Sequence, residues 1–373
     1  MRIRDFSTAV SAVSLFLSAT CANATEGEEC PSVETSVDTA LAAQIDPIVD
    51  GALERGFTGG VTVMRDGVMV YKRVAGSASR KKNIPVTEDT LFHVASIAKY
   101  FTATLVLKAS EEGVVSLDDP VAKYAPESKI GKRRTTIFDL LAHRSGLGSS
   151  YAAEKVTDKY EALSAIDNAK FDESRLGAYH YSNDGYDLLG ILLEIAYDRP
   201  YEDIIRENIF DPLCLERPRV WGTVDVADPN IVSQPLRTVS KKLRQRNYGL
   251  IGSGGFLITA ADLTVYENAL SDGLILNDAS LSELRAPRGE SSIGQVTFGA
   301  FLVTHPVLGV RVRAGGYEDW GDNAIMNHYL NRNIIVTVTT SRGPAEHTGE
   351  PPFRSEISEA IEAVLAKAET TAE

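Results

Sequence analysis

At 373 residues the chain is long enough for two domains, or for one large core carrying an inserted lobe. Its composition is that of an ordinary globular protein, 43% hydrophobic and 24% charged, with enough aromatic residues for a packed interior. A formal net charge of −13 repels phosphate backbones and argues against nucleic acid as a partner.

The first 24 residues read as a secretory signal peptide. Arg2 and Arg4 give the positive start, residues 6–17 the apolar middle, and Ala22-Asn23-Ala24 a small-x-small cleavage site. The apolar run is short for a membrane span, and Ser18 and Thr20 fit lipidation at Cys21 poorly. No later segment is long and apolar enough to cross a bilayer, so the expected location is secreted or periplasmic, without stable membrane insertion after cleavage. The mature chain then keeps Cys30 and Cys214, which an oxidising compartment permits to bridge but which nothing in the sequence brings together. Two cysteines and scattered histidines make no zinc or H-E-x-x-H constellation, so neither a metal nor a cofactor is expected.

Residues 25–40 are acidic and polar, a flexible leader. A helix is expected over residues 41–56. Next come two alternating, β-branched runs around Asp66-Gly67, a strong hairpin signal. From Ser96 to about Glu112 the pattern is helical, stopped by Gly113. Helical readings dominate from there to about residue 244: a near capping box at Thr136 and Asp139, an apolar helix over residues 184–198, and a shorter one over 201–210. Residues 220–247 show no period and read as a long surface connection. Thr259 caps a further helix. Strand-length runs follow at 294–303, 309–315, 324–330 and 333–341, and an amphipathic helix comes last.

The expected fold class is α/β of the α+β kind. An antiparallel sheet is built from both termini (41–112 and 245–373) and flanked by helices, with a mainly helical domain (113–244) inserted.

Within "LFHVASIAKYF" a serine and a lysine stand three positions apart in an almost wholly apolar run. On a helix these positions share one face. A serine hydroxyl needs a base to take its proton, and a lysine becomes one when burial disfavours its charged form. Spacing alone is weak, since roughly one such pair arises by chance in a chain of this length; Ser79 and Lys82 are the decoy, in a polar loop. The competing reading is a capping serine beside a lysine that reaches for water.

In "HYSNDGYDLLG" Tyr181 and Asn183 stand at the mouth of the next apolar helix. A phenol near a buried ammonium can have its pKa lowered and carry protons to a leaving group. An asparagine amide can both donate and accept, positioning substrate and lysine together. Two further Tyr-x-Asn triplets, at 266–268 and 329–331, fall within a helix and at a strand end.

Taken in order, "VASIAKYFTA", "EEGVVSLDDPVAKYAPE", "TTIFDLLAHRSGL", "YSNDGYDLLGILLE", "IFDPLCL" and "GSGGFLITAADL" resemble the serine β-lactamase and penicillin-binding superfamily, in particular its class C and esterase-like branch. The resemblance runs from about Gly59 to Ser341. It implies Ser96 as nucleophile, Lys99 as its base, Tyr181 as second proton carrier and Asn183 as a substrate and lysine contact. The family's Lys- or His-x-Gly strand motif is matched by Arg313-Ala314-Gly315, followed by Gly316. Arginine there can hold a carboxylate but cannot release a proton; the bland alternative is a local pair with Glu318. The resemblance places the oxyanion hole at the N–H groups of Ser96 and Gly316, and Gly315 at the substrate's edge. His143 and Asp119 also match family positions and read as structural. A Ser-His-Asp triad finds no G-x-S-x-G turn to support it.

The expected function is a secreted, cofactor-free serine hydrolase acting through an acyl-enzyme on ester or amide bonds of a small-molecule or peptide substrate. It is esterase or D-alanyl peptidase-like. The alternatives are a β-lactam or peptidoglycan-fragment sensor that is acylated without turnover, and a true class C β-lactamase. Oligomeric state is not legible in the sequence.

Overall fold

The computed structural model describes residues 30–31, 33–79, 83–223, 246–318, 321–342 and 352–372. The signal peptide expected at the start, and residues 224–245 of the long connection, lie outside them. The described residues from Pro31 onward form one compact unit.

Helix α1 (Thr39–Glu54) starts at Asp38, whose carboxylate accepts the N–H groups of Ala40 and Leu41. It buries Leu41, Ile45, Val49 and Ala52, one face of the helix. Strands β1 (Gly59–Arg65) and β2 (Val68–Ala75) are joined by Asp66 and Gly67 at φ 51° and 77°. Two positive φ values match the hairpin that the sequence announces. β3 (Ser77–Ser79) and β4 (Ile84–Pro85) form a two-stranded sheet. β5 (Phe92–His93), β6 (Arg219–Val220) and β7 (Phe256–Ile258) form a three-stranded one with β7 in the middle.

A 3₁₀ turn (Ala95–Ile97) leads into α2 (Ala98–Glu111). This helix is buried nearly all round, as suits a central element rather than a surface one. The short helices α3 (Lys129–Lys132) and α4 (Ile137–Leu141) follow, and the capping box of Thr136 and Asp139 forms at α4. α5 (Lys159–Asp167) precedes α6 (Asn183–Tyr197), which is buried from Asn183 to Glu194. α7 (Tyr201–Ile205) continues into a π turn (Arg206–Phe210), and α8 (Ala260–Ser271) is capped by Thr259. α9 (Asp278–Arg285) then leads to β8 (Gly289–Glu290), β9 (Gln295–Val296), β10 (Phe301–His305), β11 (Gly309–Tyr317), β12 (Asn323–Tyr329), β13 (Ile334–Thr340) and α10 (Phe353–Ala372). The strand expected over 294–303 is broken between β9 and β10. There Gly299 takes φ 74°, and a Cβ on it would stand 2.6 Å from Lys99 O. The chain turns there because it must clear the start of α2.

Eight strands make one antiparallel sheet in the order β2-β1-β13-β12-β11-β10-β9-β8. Its central strands come from both ends of the chain. Alternation along the strands divides the core in two. Val61, Val63, Ile325, Val336 and Val338 pack with α1 and α10, while Met64, Met326, Ile335, Val312 and Ala314 belong to the cluster of α2, α6 and α8. That second cluster is continuous from the sheet through Leu140, Ile166 and Leu189, so the helices of the middle region share a core with it.

Candidate active site

Ser96 sits in the 3₁₀ turn ahead of α2, on the side of the sheet away from α1 and α10. Ala95 immediately before it holds φ 47°, a left-handed conformation that costs a non-glycine residue about 1–2 kcal/mol. The kink lifts the hydroxyl out of the apolar run. Lys99, one turn later, is 1% exposed, with Nζ 3.2 Å from Ser96 Oγ. The reading of a capping serine with a solvated lysine is therefore wrong: the amine points inward. Nζ donates to the Ser253 carbonyl at 2.6 Å and lies 4.9 and 5.9 Å from the ring centroids of Tyr181 and Tyr186. Burial lowers the Lys99 pKa to about 7, against the opposing pull of Asp187 and Glu318.

Tyr181 reaches the same oxygen from the mouth of α6 and donates its hydroxyl to Ser96 Oγ at 2.7 Å. Ser96 Oγ thus lies within hydrogen-bond reach of both Tyr181 and Lys99. The expected lowering of the phenol does not occur. Burial raises its pKa, the negative charges of Glu318 and Asp187 raise it further, and only the bond to Ser96 opposes them. Tyr181 is a protonated donor.

Asn183 is buried at the first position of α6, just after the cap Ser182. Among the described residues its amide makes no hydrogen bond to Lys99; the lysine contact implied by the resemblance is taken by Ser253 O.

His143 is neutral and structural. Its Nδ1 accepts the Ser182 N–H at 3.0 Å, and burial, followed by the nearby Lys99, lowers its pKa to about 3. Asp119 holds a turn, accepting from the Ser116 N–H at 2.8 Å, Lys123 Nζ at 2.7 Å and the Tyr124 hydroxyl at 2.6 Å.

The third motif requires correction. A Cβ on Gly316 would stand 1.9 Å from Val94 O and 2.9 Å from Ser96 N, so the even-numbered residues of β11 face the nucleophile turn. Val312 and Ala314 join the core there. The odd-numbered ones face α10: Arg311 pairs with Glu362, and a Cβ on Gly315 would meet Arg354 Nη1 at 3.8 Å. Arg313 thus lies on the far side of the sheet, where the charges acting on it are Arg311, Glu362 and Glu359. It holds no substrate at Ser96, and Glu318 is not among the charges that shift it. Arg313→Ala should leave kcat/KM for a neutral ester within about twofold; a larger loss would contradict this placement.

Backbone direction corrects the oxyanion donor as well. Leu330 N–H donates to Val310 O at 3.1 Å and Glu318 N–H to Asp322 O at 2.9 Å, at the two ends of an unbroken β11–β12 register. In an antiparallel ladder such pairs alternate, so the Gly316 N–H is turned toward β12. The backbone groups of Gly315 and Tyr317 point the other way, past the last β10 pairing at Phe301 and Arg313. Tyr317, not Gly316, therefore directs its N–H to the edge beside Ser96. Gly316 matters for closeness and Tyr317 for donation.

The sequence reading missed three groups here: the Ser253 carbonyl, the Tyr317 N–H and Asp187. Only Asp187 carries a signal, as one of three carboxylates, with Asp184 and Glu194, in an otherwise apolar helix. Glu318 also faces this centre, its Oε1 3.7 Å from where a Cβ on Gly254 would lie. Cys30 and Cys214 are each disulfide-bonded. Among the described residues no group of His, Cys, Asp or Glu is arranged to hold a metal, and no helix is long and apolar enough to cross a membrane.

This geometry has relatives. The family model described as Beta-lactamase matches residues 41–358. PbpX of Bacillus subtilis (strain 168), named as a penicillin-binding protein, is 25% identical over 271 residues, 72% of this chain and 65% of PbpX. Esterase EstB of Burkholderia gladioli is 34% identical over 202 residues, 48% of this chain and 51% of EstB. The chain thus spans less than two thirds of the length of either curated relative. The solved D-amino acid amidase of Ochrobactrum anthropi SV3, complexed with L-phenylalanine amide, shares the fold: TM-score 0.74, 23% identity, 90% of this chain and 100% of that one. A hydroxyl held between a buried amine and a phenol, on a sheet of this order and within a family match of this length, agrees with that match: the chain belongs to the Beta-lactamase family.

Proposed function

We propose that the protein hydrolyses ester or amide bonds through an acyl-enzyme on Ser96, in the manner of an esterase or D-alanyl peptidase. The observation that carries this reading is Ser96 Oγ lying between the Tyr181 hydroxyl at 2.7 Å and Lys99 Nζ at 3.2 Å. Neutral Lys99 takes the Ser96 proton as Oγ bonds to the substrate carbonyl carbon. The oxyanion meets the N–H groups of Ser96 and Tyr317. The departing alkoxide or amine takes the Tyr181 proton, which Lys99 restores. Water then reverses the sequence and frees the acid. Asn183 is proposed to contact the substrate.

The charge around Ser96 favours a neutral or amine-bearing acyl group over a carboxylate. Ala314 occupies the face of β11 turned to the nucleophile turn, and the carboxylate of Glu318 faces the same centre. Beside Glu318 the carboxylate of a penicillin or of a D-alanyl-D-alanine peptide is disfavoured, so of the two readings the esterase is the favoured one. The names of EstB and of the D-amino acid amidase agree with this leaning. The signal-like start of the sequence supports action outside the cytoplasm.

The same Ala314 is what favours the sensor as a second reading, because it stands where the resemblance implies a strand cation, and a site without one can bind without turnover. Intact-mass measurement with a fluorophosphonate, p-nitrophenyl acetate and benzylpenicillin separates the two. The expected result is a fluorophosphonate adduct mapped to Ser96, repeated turnover of the ester, and no lasting penicillin adduct. A stable penicillin adduct without ester turnover would establish the sensor instead.

A further inference from the structure

Helix α6 carries a carboxylate that the mechanism above leaves unused. Asp187 lies one turn after Asn183 and is 1% exposed. Its Oδ1 accepts the backbone N–H groups of Gly252 and Ser253 at 3.2 and 3.0 Å. Its Oδ2 has no hydrogen-bond partner among the described residues. Gly252 is pressed on the helix so closely that a Cβ would stand 2.1 Å from Tyr186 O, so this backbone segment has little room to shift. The Ser253 carbonyl, one peptide on, receives Lys99 Nζ at 2.6 Å. Carboxylate, amide, carbonyl, amine and hydroxyl form one connected line from α6 to Ser96.

We propose that Asp187 is a positioning residue for Lys99: it pins the 252–253 backbone that aims the amine at Ser96, and its carboxylate is the counter-charge for the ammonium formed when Lys99 takes the serine proton. This rests on the reading of Ser96 and Lys99 as nucleophile and base. A lone cation in a water-excluding pocket is costly, and an anion beside it offsets much of that cost. Burial raises the Asp187 pKa to about 7 while lowering that of Lys99 to about 7, and each charge opposes the other's shift. Two such groups lose their protons as a unit rather than one by one. The other titratable groups facing the pair are Tyr181 and Tyr186, Tyr201 of α7, His143 following α4, and Glu318 following β11; Asp184 acts on Asp187 from within α6.

Asp187→Asn tests the idea, because an amide oxygen still accepts the two N–H groups but carries no charge. An anion favours the protonated amine, so its removal lets Lys99 lose its proton at lower pH. The acid limb of kcat/KM for p-nitrophenyl acetate should move down by about one pH unit. The kcat at the plateau should fall about tenfold, since the new ammonium lacks its counter-charge. An unmoved acid limb, with or without a lower plateau, would overturn the proposal. Should the variant fail to fold, ¹³Cε-lysine NMR of the wild-type protein decides. The Lys99 signal should titrate in two steps around neutrality, and a single inflection would overturn the coupling. That titration needs no turnover, so an inert wild-type enzyme would sink the hydrolase reading alone.

Discussion

Ser96→Ala should abolish ester hydrolysis, a loss on the order of 10⁴- to 10⁶-fold in kcat/KM. Lys99→Ala should be nearly as damaging, and the double variant no worse than either single one, because nucleophile and base act as a unit. Lys99→Arg should not rescue, since a guanidinium cannot take the proton. Stability should move the other way. Lys99 is buried and its pKa lies below the ordinary 10.5, so the folded protein holds fewer protons than the unfolded chain between about 7 and 10.5. Its destabilising contribution therefore grows as pH falls from about 10.5 and levels off below about 7. Lys99→Met, apolar and of similar length, should raise Tm at pH 7 while eliminating turnover, as expected where a site holds a strained or desolvated group for function. Steady-state assay with a nitrophenyl ester and thermal unfolding on the same samples check both halves. Ester turnover retained by Ser96→Ala would refute the assignment.

The second large effect is expected at Gly316. A methyl group there meets Val94 O at 1.9 Å and Ser96 N at 2.9 Å, and both are backbone atoms that cannot swing aside as a side chain can. Gly316→Ala must push β11 away from the nucleophile turn. The push carries the Tyr317 N–H out of line with the developing oxyanion, which costs about 10²- to 10³-fold in kcat. It also strains the strand, so a Tm lower by several degrees is expected. Gly51→Ala is the control: nothing lies within 4 Å of the added methyl group, and the helix-interior change should be neutral or stabilising. Full activity in Gly316→Ala would show that the strand and the turn are not held together as described.

The sequence makes local features legible where one interaction decides them. The hairpin at Asp66-Gly67, the capping box at Thr136 and the cap at Thr259 all form, because each rests on neighbouring backbone groups. Ser96, Lys99 and Tyr181 also come together, since an apolar run leaves a lysine nowhere to go but inward. The face of β11 was harder. A one-residue error in register exchanges its two faces, and matching Arg313 to the family's cation placed it on the wrong one. The alternation Arg311, Val312, Arg313, Ala314 already separates the arginines from the residues that reach the core, and that period is the better guide. Residue types alone point the Tyr181 shift downward, because Lys99 is a neighbouring cation, but burial dominates in so dry a pocket and raises it. Asp187 was visible as a charge in an apolar helix, but its partners lie more than sixty residues onward. The left-handed turn at Ala95 left no trace in residue type.

Sheet topology governs when the catalytic centre can first exist. Gly59 and its neighbours on β1 pair with the strand that ends at Thr340, and β13 also flanks β12, which in turn carries β11. During synthesis the early hairpin must wait for almost the entire polypeptide to leave the ribosome before its missing neighbour arrives. Joining segments so distant along the chain is slow. A nascent fragment that already contains Ser96, Lys99 and Tyr181 still lacks β11, so the strand edge beside Ser96 takes shape only after the last strands have emerged.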